Sequence, residues 1–387
     1  MNRSFRIEKL HTKIVAKATL FKTLKYVNRE NVKTPLLLMD KEKIMEKVSR
    51  IGKNIKNCRV FYAVKANSDI EIIKLINRQG LGFEIASEGE LKLLSAIGVD
   101  PERIITSNPV KSFKFLRMAK SYGINYLAYD SKDEVDKIAK IIPRCKVYVR
   151  LSVPNEGSEW PLSKKFGVEM DDAAKLLRYA RDKGLYPAGI TFHVGSQCTN
   201  IYNWNTALDK TKALWDKVGK DKIKLDFINI GGGYPINYTR NVVQIEAIEE
   251  NVNNLIYEKF PRDIKIFIEP GRAVVGDAGV FVATVIGKAK RGDDNWLYID
   301  IGVFNGLMES VGGIKYSYLV ECSSRNKQQK KWYLAGPSCD SFDIIDKGLL
   351  LPEPEVGNLI LIFSSGAYTT SYASEFNGFT IPKTVLI

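Results

Sequence analysis

Lys65 stands directly after the apolar run Val60–Val64, in FYAVKAN. Burying an ammonium at a strand end is costly, and the cost frees the amine to attack an aldehyde. The competing reading is a lysine that lays its stem on apolar surface and keeps its head in water. Glu84 ends the next apolar run, in GFEIASEGEL, and Glu88 and Glu90 follow where carboxylates suit the positive end of a helix. Arg150 closes VYVRL, where a buried ion-pair partner is the competing role. His193 ends the expected strand within GITFHVGSQ, as a satisfied structural histidine or as a flat ring stacked on an aromatic cofactor. Ser196, in the turn that follows, offers a hydroxyl to an anion. Gly231, Gly232 and Gly233 follow DFINI, and three glycines form either a tight turn or an anion nest of backbone N–H groups. Glu269 and Arg272 sit in FIEPGRAVV. They read as an acid for a protonated ring nitrogen and a phosphate-binding arginine, or as a salt bridge closing a barrel.

These residues share one kind of place in the predicted fold. From about residue 35, short apolar runs alternate with amphipathic stretches. Expected strands are 35–39, 60–64, 82–85, 104–107, 126–129, 146–151, 188–193, 227–230 and 264–268, with helical patterns between them. Strand then helix, repeated about eight times, predicts an α/β fold with a closed (β/α)8 TIM barrel. In such a barrel, function gathers at the C-terminal ends of the strands, where every residue named above stands. After Arg272 the pattern turns β-like, which predicts a C-terminal β-domain. The expected division is an N-terminal segment 1–34 packing on the β-domain, a barrel 35–273 and the β-domain 274–387. A lysine, a ring-stacking histidine, a glycine nest, a carboxylate and an arginine on one barrel face suit pyridoxal 5'-phosphate.

Composition excludes other classes. The 387 residues are 45% hydrophobic and 26% charged, a globular mixture rather than a disordered or collagenous one. The net charge of +14 is spread out, and its densest run, Lys327 to Lys331, reads as a solvated loop. No nucleic-acid motif and no apolar stretch of membrane-spanning length occur, so neither a nucleic-acid nor a membrane partner is expected. The N-terminus does not read as a secretory signal. Five scattered cysteines without a CxxC pair predict no zinc site and no disulfide framework, and a reducing cytoplasm is the expected home. Only His11 and His193 are available for histidine chemistry, so no His-rich metal site is expected.

Seven ordered motifs then carry a family resemblance. They are FYAVKAN at 61–67, GFEIASEGEL at 82–91, FHVGSQ at 192–197, GGGYP at 231–235, EPGR at 269–272, GPSCDSFD at 336–343 and GAYTTSYASEFNGF at 366–379. From about residue 35 to the end, the chain resembles the barrel-type, alanine-racemase-fold pyridoxal-phosphate amino-acid decarboxylases. That family includes ornithine, lysine/ornithine and diaminopimelate decarboxylases. The resemblance implies that Lys65 holds the cofactor covalently, His193 stacks on its ring and Glu269 bonds the ring nitrogen. It implies phosphate contacts from Ser196, Gly231, Gly232, Gly233, Arg272 and Tyr368, with Arg150 and Glu84 near the ring. The ornithine branch often carries Asp where Glu84 stands.

Cys339 and Asp340 would reach the active site of a neighbouring subunit, which makes a homodimer with shared sites the expected state. The cysteine would protonate the carbon left after carbon dioxide departs, and the aspartate would pair with a distal substrate amine. Diaminopimelate decarboxylases usually carry CES where this chain has Cys339, Asp340 and Ser341. The aspartate and Phe376 favour a basic substrate, ornithine or lysine, with arginine, diaminopimelate or a carboxylated polyamine as alternatives. Glu309, the only acidic residue of Gly302–Tyr318, is the expected second anionic contact for the substrate. The rivals are a racemase and a non-catalytic decarboxylase-like binding protein.

Overall fold

The computed structural model describes residues 3, 5, 7, 14–29, 32–162, 165–321 and 328–387. His11, Cys322 and Lys327 lie outside them. The chain divides into two compact units, one of residues 47–235 and 243–271, the other of 1–46, 236–242 and 272–387.

The first unit is the barrel. Its eight strands follow chain order around the sheet: Cys58–Ala63, Gly82–Glu84, Ile104–Ile105, Tyr126–Tyr129, Lys146–Arg150, Tyr186–Thr191, Phe227–Asn229 and Lys265–Ile268. Neighbours pair in parallel, the last strand returns to the first, and a parallel bridge from Thr106 to Leu127 closes the ring. The crossovers are helices because their apolar residues recur at helical spacing. Helix Ile70–Arg78 buries Ile72, Ile73 and Ile76, and Asp69 caps it by accepting from the N–H groups of Glu71 and Ile72. Ser87, Ser112 and Ser131 cap Glu88–Ala96, Phe113–Tyr122 and Lys132–Ile141 in the same manner. Inward side chains from alternating positions fill the barrel: Phe61, Ile105, Ala128, Tyr148, Ala188, Phe227 and Phe267. Phe227 and Phe267 stack with ring centroids 4.3 Å apart. The barrel is therefore solid below its mouth, and chemistry is confined to the strand ends.

The second unit is a β-sheet domain, ordered Tyr318–Val320, Leu359–Phe363, Gly279–Arg291, Asp294–Ile299, Gln329–Ala335 and Ile344–Pro352. Its core joins Leu20 and Val27 of helix Lys17–Val27 to Leu36, Val280, Leu319, Leu361 and Phe363. No helix among the described residues is long and apolar enough to cross a membrane.

Three expectations need correction. The run 35–39 is not a barrel strand: Leu36–Met39 pairs antiparallel with Gly279–Arg291 and parallel with Lys383–Leu386. All four residues are buried, so their pattern is the same in either sheet, and only distant partners decide. Lys330 and Lys331 belong to strand Gln329–Ala335 rather than a loop, and Lys330 pairs with Glu353. Ser196 opens the short strand Ser196–Cys198, which pairs with Ser158–Trp160, instead of lying in a turn.

Candidate active site

In the barrel unit, Lys65 sits in a single 3-10 turn, Val64–Ala66, immediately after its strand. Val64 and Ala66 point inward, which leaves the Lys65 side chain 43% exposed at the strand end. Tyr62 OH donates to Asn67 O at 3.0 Å, and Ala63 N–H donates to Pro270 O at 3.0 Å, so the turn is tied down on both sides. Lys65 Nζ donates to Glu84 on the adjacent strand. Glu84 is 2% exposed, so its charge is balanced chiefly by that ammonium.

Glu269 is also buried. Its Oε1 accepts from Asn229 Nδ2 at 2.5 Å and from Ser107 Oγ. The one Ser107 hydroxyl proton goes to the carboxylate, so Tyr148 OH, 2.8 Å from Ser107 Oγ, donates to the serine. Both donors converge on one oxygen, and Oε2 makes no hydrogen bond among the described residues. Burial pushes the Glu269 pKa up, and the Glu84 charge adds to that, against Lys65, Ser107 and Asn229. A carboxylate so placed binds a proton, or a protonated nitrogen, more tightly than one in water.

His193 is held the opposite way. Burial, then the charges of Arg150 and Lys65, push its pKa well below the ordinary value, so the ring is neutral. Gly195 N–H donates to Nδ1 at 3.0 Å, which places the ring proton on Nε2. The Arg150 guanidinium lies over the Phe166 ring at 5.4 Å, and burial lowers its pKa against the opposing pull of Glu269.

The glycines fit their turn for steric reasons. Gly231 and Gly233 hold φ at 66° and 97°, where a side chain is strained. A Cβ on Gly231, Gly232 or Gly233 would run into the carbonyl oxygens of Phe192, Glu269 and Gly195, respectively. A Cβ on Gly232 would also come 3.5 Å from His193 Nε2, so the turn lies beside the imidazole.

The β-domain unit carries two further groups. Arg272 is buried and meets Glu309 through two parallel hydrogen bonds of 2.7 Å, with Tyr238 OH as a third partner. The Tyr368 ring lies 4.8 Å from the guanidinium carbon, and Tyr368 itself takes a left-handed φ of 53°. Glu309, at 2% exposure, therefore uses both oxygens on Arg272 and is not displayed as a second substrate contact. Sequence reading missed this because an arginine 37 residues away leaves no local mark.

The second group is the loop of Cys339 and Asp340, both exposed. Asp343 pins it from beneath: Oδ1 accepts from Val303 N–H at 2.7 Å and Oδ2 from Ser338 N–H at 3.0 Å. Gly302 and Gly336 leave room for that carboxylate, since a Cβ on either would collide with it. Phe376, half-exposed, packs on Phe304 with centroids 4.7 Å apart.

A family model described as the pyridoxal-binding domain of pyridoxal-dependent decarboxylases matches residues 41–276. The chain is 32% identical to a lysine/ornithine decarboxylase of Selenomonas ruminantium over 385 residues, 99% of this chain and 94% of that protein. The chain belongs to the pyridoxal-dependent decarboxylase family. A lysine/ornithine decarboxylase of Vibrio vulnificus, solved with cadaverine, superposes at a TM-score of 0.87 with 28% identity, covering 97% of this chain and 100% of that one. An arginine decarboxylase of a Paramecium bursaria Chlorella virus reaches 0.87 with 26% identity, covering 96% and 100%.

The barrel mouth fits the cofactor of this pyridoxal-dependent family. Lys65 supplies the amine for its aldehyde, neutral His193 a flat face, and Glu269 an anion that burial leaves in need of a cation. The turn 231–233 presents backbone without side chains, because a Cβ at any of its three positions would collide with a neighbouring carbonyl oxygen. Asn229, Ser107 and Tyr148, which orient Glu269, were not singled out from sequence. The one available signal was a polar asparagine inside the apolar strand run FINI.

Proposed function

We propose that this decarboxylase removes the α-carboxylate of a basic L-amino acid, L-ornithine or L-lysine, and releases putrescine or cadaverine for polyamine synthesis. The observation that carries the reading is the pinned loop that displays the Cys339 thiol and the Asp340 carboxylate side by side. An exposed carboxylate, held at Oδ1 by Phe342 N–H at 2.8 Å, suits a distal ammonium and opposes a distal carboxylate, which argues against diaminopimelate. The names of the Selenomonas and Vibrio relatives and the bound cadaverine support the same substrate class.

When bound, pyridoxal phosphate supplies a conjugated ring that accepts the electron pair left as carbon dioxide departs. Lys65 would hold it through its amine, with Glu84 beside that amine as counter-ion. Glu269, oriented by Asn229 and Ser107, holds a proton at the ring nitrogen, where negative charge would otherwise build up. His193 offers an uncharged face, so it adds no repulsion to that cation. Ser196 and the glycine turn receive the phosphate, and Arg272 and Tyr368 are proposed as its further contacts. Cys339 delivers a proton to Cα, and Asp340 holds the distal amine. The exposure of this loop supports a homodimer in which it serves the partner's site. The scatter of the five cysteines along the sequence is the ground for proposing a cytoplasmic enzyme.

The deciding experiment offers the cofactor-loaded protein L-ornithine, L-lysine, L-arginine and meso-diaminopimelate in parallel and identifies the products. Putrescine or cadaverine is expected. Lysine formed from diaminopimelate, or no product from any of the four while the lysine-bound cofactor still absorbs, overturns the reading.

A further inference from the structure

Asn377, 38 residues along the chain from Cys339, meets the displayed loop. It belongs to the turn Phe376–Gly378 and holds φ at 55°, a left-handed conformation that asparagine tolerates better than most residues. Its Oδ1 accepts from Cys339 N–H at 3.1 Å and from Cys339 Sγ at 3.2 Å. A backbone N–H can only donate, so that bond fixes the amide with its oxygen toward the loop. The sulfur thus faces an acceptor, a contact that only the S–H form makes favourably. Both sides of the contact are anchored. Asp343 holds the Cys339 loop, and Ser374 N–H donates to Phe304 O at 2.8 Å beside the Phe304–Phe376 ring pair.

We infer that Asn377 is a positioning residue for proton delivery: by accepting from the Cys339 sulfur it aims the thiol. This rests on the reading of Cys339 as the donor to Cα. In that step the S–H bond breaks, a C–H bond forms at Cα, and the thiolate takes a proton back from water. If the proton goes instead to the cofactor's aldehyde carbon, the substrate's amine carbon is oxidised. An aminoaldehyde then leaves after hydrolysis, and the cofactor remains as its amine. Thiol placement therefore sets the ratio of diamine to aminoaldehyde, which a purely structural role would not move.

The test compares Asn377→Gly, which keeps the left-handed turn and removes the amide, with Asn377→Asp, which keeps an acceptor oxygen. The holoenzymes are assayed for both products. Alkylation of Cys339 by iodoacetamide at one fixed pH is followed by peptide mass. In Asn377→Gly, the aminoaldehyde share and the alkylation rate should each rise about five-fold, the worth of one hydrogen bond. Asn377→Asp should keep diamine as the product and alkylate no faster than the parent. A glycine variant with the parent's product ratio, or with an unchanged alkylation rate, overturns the inference. Cys339→Ala runs alongside: clean diamine from it refutes the donor reading itself, and the role of Asn377 falls with it.

Discussion

Glu269, buried, and His193, half-buried, share the barrel mouth and are driven to opposite states of charge demand. The carboxylate has a raised affinity for a proton, and the imidazole a lowered one. Glu269→Gln keeps the shape and the acceptor for Asn229 but removes the anion that holds the ring proton. Turnover should fall about 100-fold or more while the cofactor stays bound, read by steady-state rates and near-visible absorbance. A variant with parent-like turnover would remove Glu269 from the mechanism. His193 makes a stability prediction whose sign follows from linkage. Its folded pKa lies well below the unfolded value of about 6.5, so the unfolded chain gains a proton first as pH falls. Stability should therefore decline below about pH 6.5, by up to ~1.4 kcal/mol per pH unit. His193→Gln should flatten that part of a urea-midpoint profile taken from pH 7 to pH 5.

At the scale of elements, strand ends and their following turns place the chemistry, and buried polar ties hold those turns. Lys111 is one such tie. Fully buried, it donates to Asn108 O at 2.9 Å and Ala128 O at 2.5 Å, and pairs with Glu134 at 2.9 Å. It thereby joins the turn after Ile104–Ile105 to strand Tyr126–Tyr129 and helix Lys132–Ile141. Burial pulls its pKa down to about 8, against the pull of Glu134. Lys111→Ala leaves a buried carboxylate with Lys137 as its one remaining ion-pair partner among the described residues, beside the residue 111 N–H, and should cost about 3 kcal/mol, measured by urea unfolding. Cofactor absorbance below the transition should be unchanged, because Lys111 touches none of the proposed cofactor residues. The helices between the strands were legible from sequence, because their apolar residues recur at helical spacing, as in Lys132–Ile141. The strand Ile344–Pro352 was not, because only three of its nine residues are buried and its pattern is weak.

At the scale of the whole molecule, the proposed shared-site homodimer makes a prediction that a single chain cannot. Lys65→Ala and Cys339→Ala subunits should each be nearly inactive alone. Mixed and allowed to exchange, half of the dimers carry one subunit of each kind, and each of these has one intact site. Activity should recover to roughly a quarter of the parent's. No recovery, with subunit exchange verified by mass, would place Lys65 and Cys339 in the same subunit's site.

The sequence by itself determined which chemistry is present. Seven motifs named the lysine, the histidine, the glycine turn, the carboxylate and the cysteine–aspartate pair, and the alternation of strand and helix foretold a barrel. Each of these is local, fixed by residue type and near-neighbour spacing. Tertiary structure decided what depends on distant partners. It put Leu36–Met39 in the β-domain sheet, because a buried apolar run carries no information about which sheet will pair with it. It gave Glu309 to Arg272, Asn229 and Ser107 to Glu269, and Asn377 to Cys339. Hydrogen bonds across 37 to 162 residues of chain have no spacing to read, and they exist only once the fold has closed.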